Sequence, residues 1–206
     1  MTAQRLVPLV EQFDFTVARL VDRMSGPDLD SGNGVRIPVA PMADDEYLWE
    51  PVAGCWSIRR RTEQPGPGAT VLAGAGEWRR DGGPPPARPP VTTIAWRLAH
   101  LAEMLSMRAD HRTGTHSSTL DTYHHHGDAK GGIAAFSDGA VAWRQVLVGM
   151  ADDELDAVGV STYPYGSDPE DPFVQTAWWM NQELLHHGAE IALLRDLYRD
   201  ARTASG

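Results

Sequence analysis

Four stretches of this 206-residue chain space their apolar side chains at intervals of three and four. That is the period of an amphipathic helix, and it limits the fold to helices packed on helices. The first stretch covers about 2–24, where Leu6, Leu9, Val10, Phe13, Val17, Leu20, Val21 and Met24 form the stripe and Ser25-Gly26-Pro27 ends it. The second, about 92–113, follows a proline run, takes Thr92 or Thr93 as N-cap and stops at Gly114. The third, about 128–150, carries Ile133, Phe136, Val141, Val148 and Met150, and is weakened by Gly131, Gly132 and Gly139. The fourth, about 172–202, opens on Asp171 as N-cap with Pro172 at the first helical position.

Between the first two lies an irregular insertion, about 25–90, rich in Gly and Pro. Its GGPPPARPP run (82–90) cannot sit inside a helix, while Val35–Val39 and Val71–Ala73 are weak candidate strands. A loop this long is expected to cover a site or another surface. The expected architecture is therefore all-α: one four-helix-bundle domain over 1–206, with a long Pro/Gly-rich loop region between helices 1 and 2 and at most short strands in it.

Charge narrows the partners. Lys and Arg number 18 against 28 Asp and Glu, a net charge of −10, which argues against nucleic acid and against an anionic membrane surface. No run of apolar residues is long enough to span a bilayer. The first residues lack the basic-then-apolar order of a secretory leader, so a cytoplasmic location is expected. Cys55, the single cysteine, excludes an internal disulfide and a zinc site built on paired thiolates.

The anomaly lies on the fourth helix. Met180, Leu194 and Leu197 share one side, flanked by Trp179, Ile191 and Tyr198, while Asn181, Ala192, Arg195, Asp196 and Arg199 share the other. Glu183, His187 and Glu190 fall near the middle of the apolar side. A carboxylate there needs a partner: a cation, a proton, an arginine or a metal. Glu183 and His187 stand one turn apart and can present two ligands to one ion. On the second helix Ile94, Leu98, Leu101 and Leu105 form the main stripe, and His100 lies on a second semi-apolar face near Trp96, Met104, Met107 and His111. His100 alone would be read as a hydrogen-bonded core histidine; with Glu183 and His187 it completes a three-ligand set that leaves the fourth zinc position open.

Other conspicuous residues read more simply. His124, His125 and His126 are consecutive in a loop and share no face, which suggests solvated residues; His111 and His116 are also expected at the surface. Cys55, with no catalytic base in view, is expected to be a packed small residue despite the arginines near it. Arg59-Arg60-Arg61 reads first as a charged surface turn and second as an anion clamp. The tryptophans are expected to be core or loop anchors, with Trp178 and Trp179 as alternative pocket walls.

The four-helix pattern, with WRLAHLAEML in the second helix and NQELLHHGAEIALLRDLY in the fourth, resembles the DinB-like superfamily. More narrowly it resembles the branch containing mycothiol-dependent maleylpyruvate isomerase. The resemblance covers the helices, not the 25–90 region. It implies a bundle holding a divalent metal through a His of the second helix and a Glu-x-x-x-His pair of the fourth, matched here by His100, Glu183 and His187. Many DinB-like proteins show a His-x-x-x-His pair, a register that falls here on Gln182 and His186; Gln182 is a poor ligand. His186 and Glu190 stay open as substitutes or as supporting groups.

These readings lead to a metal-dependent enzyme in which His100, Glu183 and His187 hold the ion and Glu190 or His186 orients a ligand or moves a proton. Zinc is the first choice, with nickel, iron and manganese compatible. The resemblance implies a low-molecular-weight thiol, such as mycothiol or bacillithiol, as cosubstrate for a thiol-dependent transferase or isomerase acting on a small molecule. Two other readings stand beside it: metal-assisted hydrolysis, and a non-catalytic or stress-related module holding a small ligand. A homodimer is the expected assembly if a helix face is left apolar and exposed.

Overall fold

The computed structural model describes residues 3–26, 29–30, 36–37, 40–84, 91–159 and 170–204. In chain order the elements are α1 (Val7–Ser25), β1 (Leu29–Asp30), β2 (Arg36–Ile37), α2 (Asp44–Tyr47), β3 (Ile58–Arg60), β4 (Val71–Ala73), β5 (Trp78–Gly82), α3 (Ile94–Thr113), α4 (Ala129–Gly149) and α5 (Phe173–Thr203). Short 3-10 turns lie at Gln4–Leu6 and Asp152–Asp156.

The four long helices occur where the periodicity puts them, and local chemistry fixes their ends. Gly26 closes α1 in the left-handed region, at φ 88°, and donates its N–H to Asp22 O. A Cβ there would also lie 2.6 Å from Pro41, so only glycine fits. Thr93 caps α3 by accepting from Trp96 N at 3.1 Å, and Asp128 caps α4 by accepting from Gly131 N at 2.7 Å. The expected start of α5 shifts by one residue: Pro172 is the N-cap in extended backbone, and Asp171 makes no cap. α4 runs unbroken through its glycines, because Gly139 lets it approach α3 closely; a Cβ there would meet Ser106 Oγ at 2.8 Å and Ala102 O at 3.0 Å.

α3 packs along α4 and touches α5, while α1 lies against α5 and α4. The core between them is built from Phe13, Leu98, Leu101, Met104, Leu105, Phe136, Trp143, Met180, Leu184 and Ile191, all buried. Burial of this apolar surface, at ~25 cal/mol per Å2, drives assembly.

The all-α expectation needs correction. The fold is mostly helical, but the insertion forms a three-stranded antiparallel sheet in the order β3-β5-β4, and β1 pairs with β2. Ile58 stands opposite Arg80 and Arg60 opposite Trp78, while Val71 stands opposite Gly82 and Ala73 opposite Arg80. Val71–Ala73 is indeed a strand; of Val35–Val39 only Arg36–Ile37 is described, as β2, and Val35 and 38–39 lie outside the described residues, as do 85–90 and 160–169. β1 was not expected either, and the two missed strands of the three-stranded sheet, IRR and WRRDG, are charged and short, so they carry no apolar alternation.

Two polar residues assigned to the outer face of α5 are buried instead. Arg195 donates to Glu46 at 2.6 and 3.0 Å, to Ala40 O at 2.9 Å and to Arg23 O. Asn181 donates to Leu9 O at 2.8 Å. Conversely Leu197, placed on the apolar side, is exposed. α5 has α1 on one side, α3 on another and α2 near its end, so its buried surface is wider than one stripe and drifts along its 31 residues.

Arg195 and Glu46 are a fully buried ion pair, so losing one partner strands the other charge. Arg195→Met is expected to cost about 3–5 kcal/mol in urea denaturation, and adding Glu46→Gln should return part of that loss.

Candidate metal centre

The insertion is fastened to the N-terminal half of α3 by buried polar contacts. Asp81 accepts from Ser57 N at 3.0 Å, Gly66 N at 2.9 Å and Arg59 Nε at 2.8 Å. Its carbonyl accepts from Trp96 Nε1 at 2.8 Å. Thr93 N donates to Trp56 O at 2.9 Å, and Arg80 binds Glu103 through two contacts of 2.6 and 3.2 Å. The sheet therefore holds Trp96, whose ring stacks on His100 with centroids 5.4 Å apart and meets His187 edge-on at 6.3 Å. Arg80 covers the Trp96 ring at 5.1 Å.

His100 from α3 meets Glu183 and His187 from α5. His100 Nε2 is 3.5 Å from Glu183 Oε2, and His187 Nε2 is 3.4 Å from the same oxygen. One donor atom from each of the three residues lies within 4.8 Å of the others, a group that could hold a metal ion. Ligands about 2.0–2.2 Å from a tetrahedral zinc stand roughly 3.3 Å apart, so both contacts match an edge of that polyhedron. The other nitrogen of His187, Nδ1, lies 2.7 Å from Glu190 Oε2. Carboxylate–imidazole–metal chains have this form: the carboxylate fixes the tautomer and aims the second nitrogen at the ion. All three donor side chains keep some solvent exposure, 16–19%, which leaves a way in.

The electrostatics suit a cation. Hydrogen bonds from His100 and His187 hold the Glu183 carboxyl down to about 2, so it is a carboxylate at any working pH. Burial lowers His100 and favours its neutral form, the form that ligates a metal. Burial also disfavours charge on His187, but the hydrogen bonds to Glu183 and Glu190 outweigh it and raise its affinity for a proton. A metal ion and that proton would compete for His187.

The other sequence candidates separate clearly. Gln182 and His186 line a groove with Gln12, Trp178, Leu185 and Ala189 and are not in the donor group, which disfavours their register. His111 is half-buried, within 2.8 Å of Ser118 O, and His116 is exposed. Cys55 is a packed thiol, as expected, pushed up to about 11 by burial and by Glu50. Arg59 is no anion clamp; it is occupied by Asp81, Glu50 and Cys55 O. Arg60 pairs with exposed Glu77, and Arg61 donates to Gly76 O. Trp178 is exposed, while Trp179 lies under the Arg108 guanidinium at 5.4 Å.

The reading of His124–His126 as solvated residues fails at His125, whose side chain is buried 3.5 Å from Glu103. Isolated bridging of Ala75 to His124 folds this loop onto the insertion, which the sequence does not show. Sequence reasoning also missed Arg97, three residues before His100 on α3. Arg97 donates to Glu190 and approaches His187 Nδ1 at 3.3 Å. Its i−3 position relative to His100 was the available signal.

A helical bundle carrying a His/Glu/His donor group between two of its helices defines the class of this protein. The family model of the DinB superfamily matches residues 35–191, which is 157 of the 206 residues, and the chain belongs to that superfamily. No curated protein and no solved structure matches it. Among the described residues no helix is long and apolar enough to cross a membrane.

His125 supplies a test of its buried environment. Burial pushes its pKa down from 6.5 to about 4; Glu103 opposes that shift, while Arg80, His126 and His124 reinforce it. The unfolded chain therefore takes up this proton first, and stability is lost as pH falls from about 6.5 to about 4, by about 3 kcal/mol. His125→Gln is expected to flatten that part of the stability–pH curve relative to the parent protein; parallel curves would contradict it.

Proposed function

We propose that this protein is a metal-dependent enzyme that activates a small thiol on a divalent ion held by His100, Glu183 and His187, for S-transfer to, or thiol-assisted isomerisation of, a small electrophile. One observation carries the reading: two imidazole nitrogens face one carboxylate oxygen at 3.4 and 3.5 Å, with the His187 ring anchored from behind by Glu190. Three protein ligands leave a coordination position for an exogenous group. The His/Glu set suits zinc first, and nickel, iron or manganese by the same chemistry. Such an ion, when bound, lowers the pKa of a thiol so that the thiolate exists at neutral pH.

The chain's own residues do the rest. Glu183 supplies the negative charge that draws the cation, and His100 and His187 supply neutral donors from two helices. Glu190 accepts the Nδ1 proton of His187 and keeps Nε2 aimed at Glu183. Trp96 walls the donor group on the sheet side and holds the His100 ring by stacking. The resemblance to the mycothiol-dependent isomerase branch favours a mycothiol- or bacillithiol-type cosubstrate over hydroxide.

Protein stripped of metal is expected to bind zinc with Kd below about 10 µM by calorimetry, about −7 kcal/mol or better. Glu183→Gln should weaken that binding by at least about 100-fold, more than loss of a supporting group. Unchanged affinity would remove the centre.

Turnover against a panel of electrophiles is expected to require both thiol and metal, and to vanish with chelator. Hydrolysis of esters without thiol would favour a metal-assisted hydrolase instead. Ligand binding indifferent to chelator would favour a non-catalytic module.

A further inference from the structure

We propose that Arg97 is a positioning residue of the metal centre: it sets metal affinity by clamping Glu190 against His187. This rests on the reading of His100, Glu183 and His187 as ligands. Arg97 is 8% exposed, on the same turn of α3 that presents His100. Its Nη1 donates to Glu190 Oε2 and stands 3.3 Å from His187 Nδ1. That same Oε2 lies 2.7 Å from His187 Nδ1. One carboxylate oxygen thus receives an arginine from α3 and an imidazole from α5.

Glu190 needs such a clamp. Its side chain is 36% exposed, and a free glutamate at the edge of a bundle samples several rotamers in water. Held by Arg97, it presents one oxygen to Nδ1 and fixes the tautomer whose Nε2 faces Glu183. Stability alone gives a weak reason for the arginine: its Nε is buried without a hydrogen-bond partner among the described residues. Charge gives a second reason. Glu183, Glu190 and Arg97 sum to −1, so a divalent ion leaves +1, the charge that a single thiolate cancels.

Cobalt(II) and zinc binding to stripped protein test this, with the visible cobalt spectrum as a report on ligand geometry. Arg97→Met is expected to weaken binding by about 10–100-fold and to alter the spectrum. Arg97→Lys should recover most of that loss. Arg97→Met combined with Glu190→Gln should bind no more weakly than Glu190→Gln alone, because both act through one chain of contacts. If Arg97→Met does not fold, Arg97→Gln is measured on the same scale. Wild-type affinity and spectrum in the Arg97 variants would overturn the proposal, as would losses that multiply in the double variant. Failure of the parent protein to bind either metal would overturn the centre itself, and is distinguished by appearing before any substitution.

Discussion

The structure depends on how it compensates carboxylates placed among apolar helices. A buried carboxylate without a partner costs several kcal/mol, so each one dictates what must stand beside it. Glu46 requires Arg195, and this pair ties α2 to α5 and, through Arg23 O and Ala40 O, to the end of α1 and the start of the insertion. Glu103 requires Arg80, and that pair ties β5 to α3. The helices meet because their apolar stripes do, and the insertion is tied to them both by these charge pairs and by Met42, Tyr47 and Ile58 in the shared core.

The insertion is consequently more than a loop joining two helices. Asp81 gathers Ser57, Gly66 and Arg59, and its carbonyl and neighbouring Arg80 reach the face of α3 that bears Trp96 and His100. The link from sheet to donor group is short: β5 to Trp96 to His100. The stacked Trp96 ring thus links the sheet directly to the donor group, beside the Arg80–Glu103 pair, whereas the α5 side of the group is held by Glu190 and Arg97. α3 contributes to both halves.

What could be read in the sequence followed from periodicity and from misfit. Helix positions were legible because Leu, Val and Met repeat at spacings of three and four over many residues, and because Thr93 and Gly114 mark the ends of α3 by local chemistry. His100, Glu183, His187 and Glu190 were legible as a group because they stand on faces that should be apolar. The sheet was not, because IRR and WRRDG are three- and five-residue strands of charged residues whose partners are distant in the chain. Arg195 and Asn181 were misplaced because a wheel assumes one buried stripe, while α5 has several neighbours. His125 was misread because no local pattern reveals that a loop will fold onto Glu103 and Gly74.

Buried Glu46 and Glu103, set beside partly buried Glu183, also show why only Glu183 looks like a site for an ion. Glu46 and Glu103 are each paired through two oxygens with an arginine, and those side chains are almost fully enclosed. Nothing is left for a ligand to supply. Glu183 has no arginine; its ion-pair partners among the described residues are two imidazoles. One of these, His100, is favoured in its neutral form by burial, and the other has its far nitrogen committed to Glu190. The nearest guanidinium, Arg97, is spent on Glu190 rather than on Glu183. A carboxylate facing two imidazoles, with the nearby guanidinium turned to another acid and a path to solvent left open, is an arrangement that could hold a divalent ion and that an arginine would have closed.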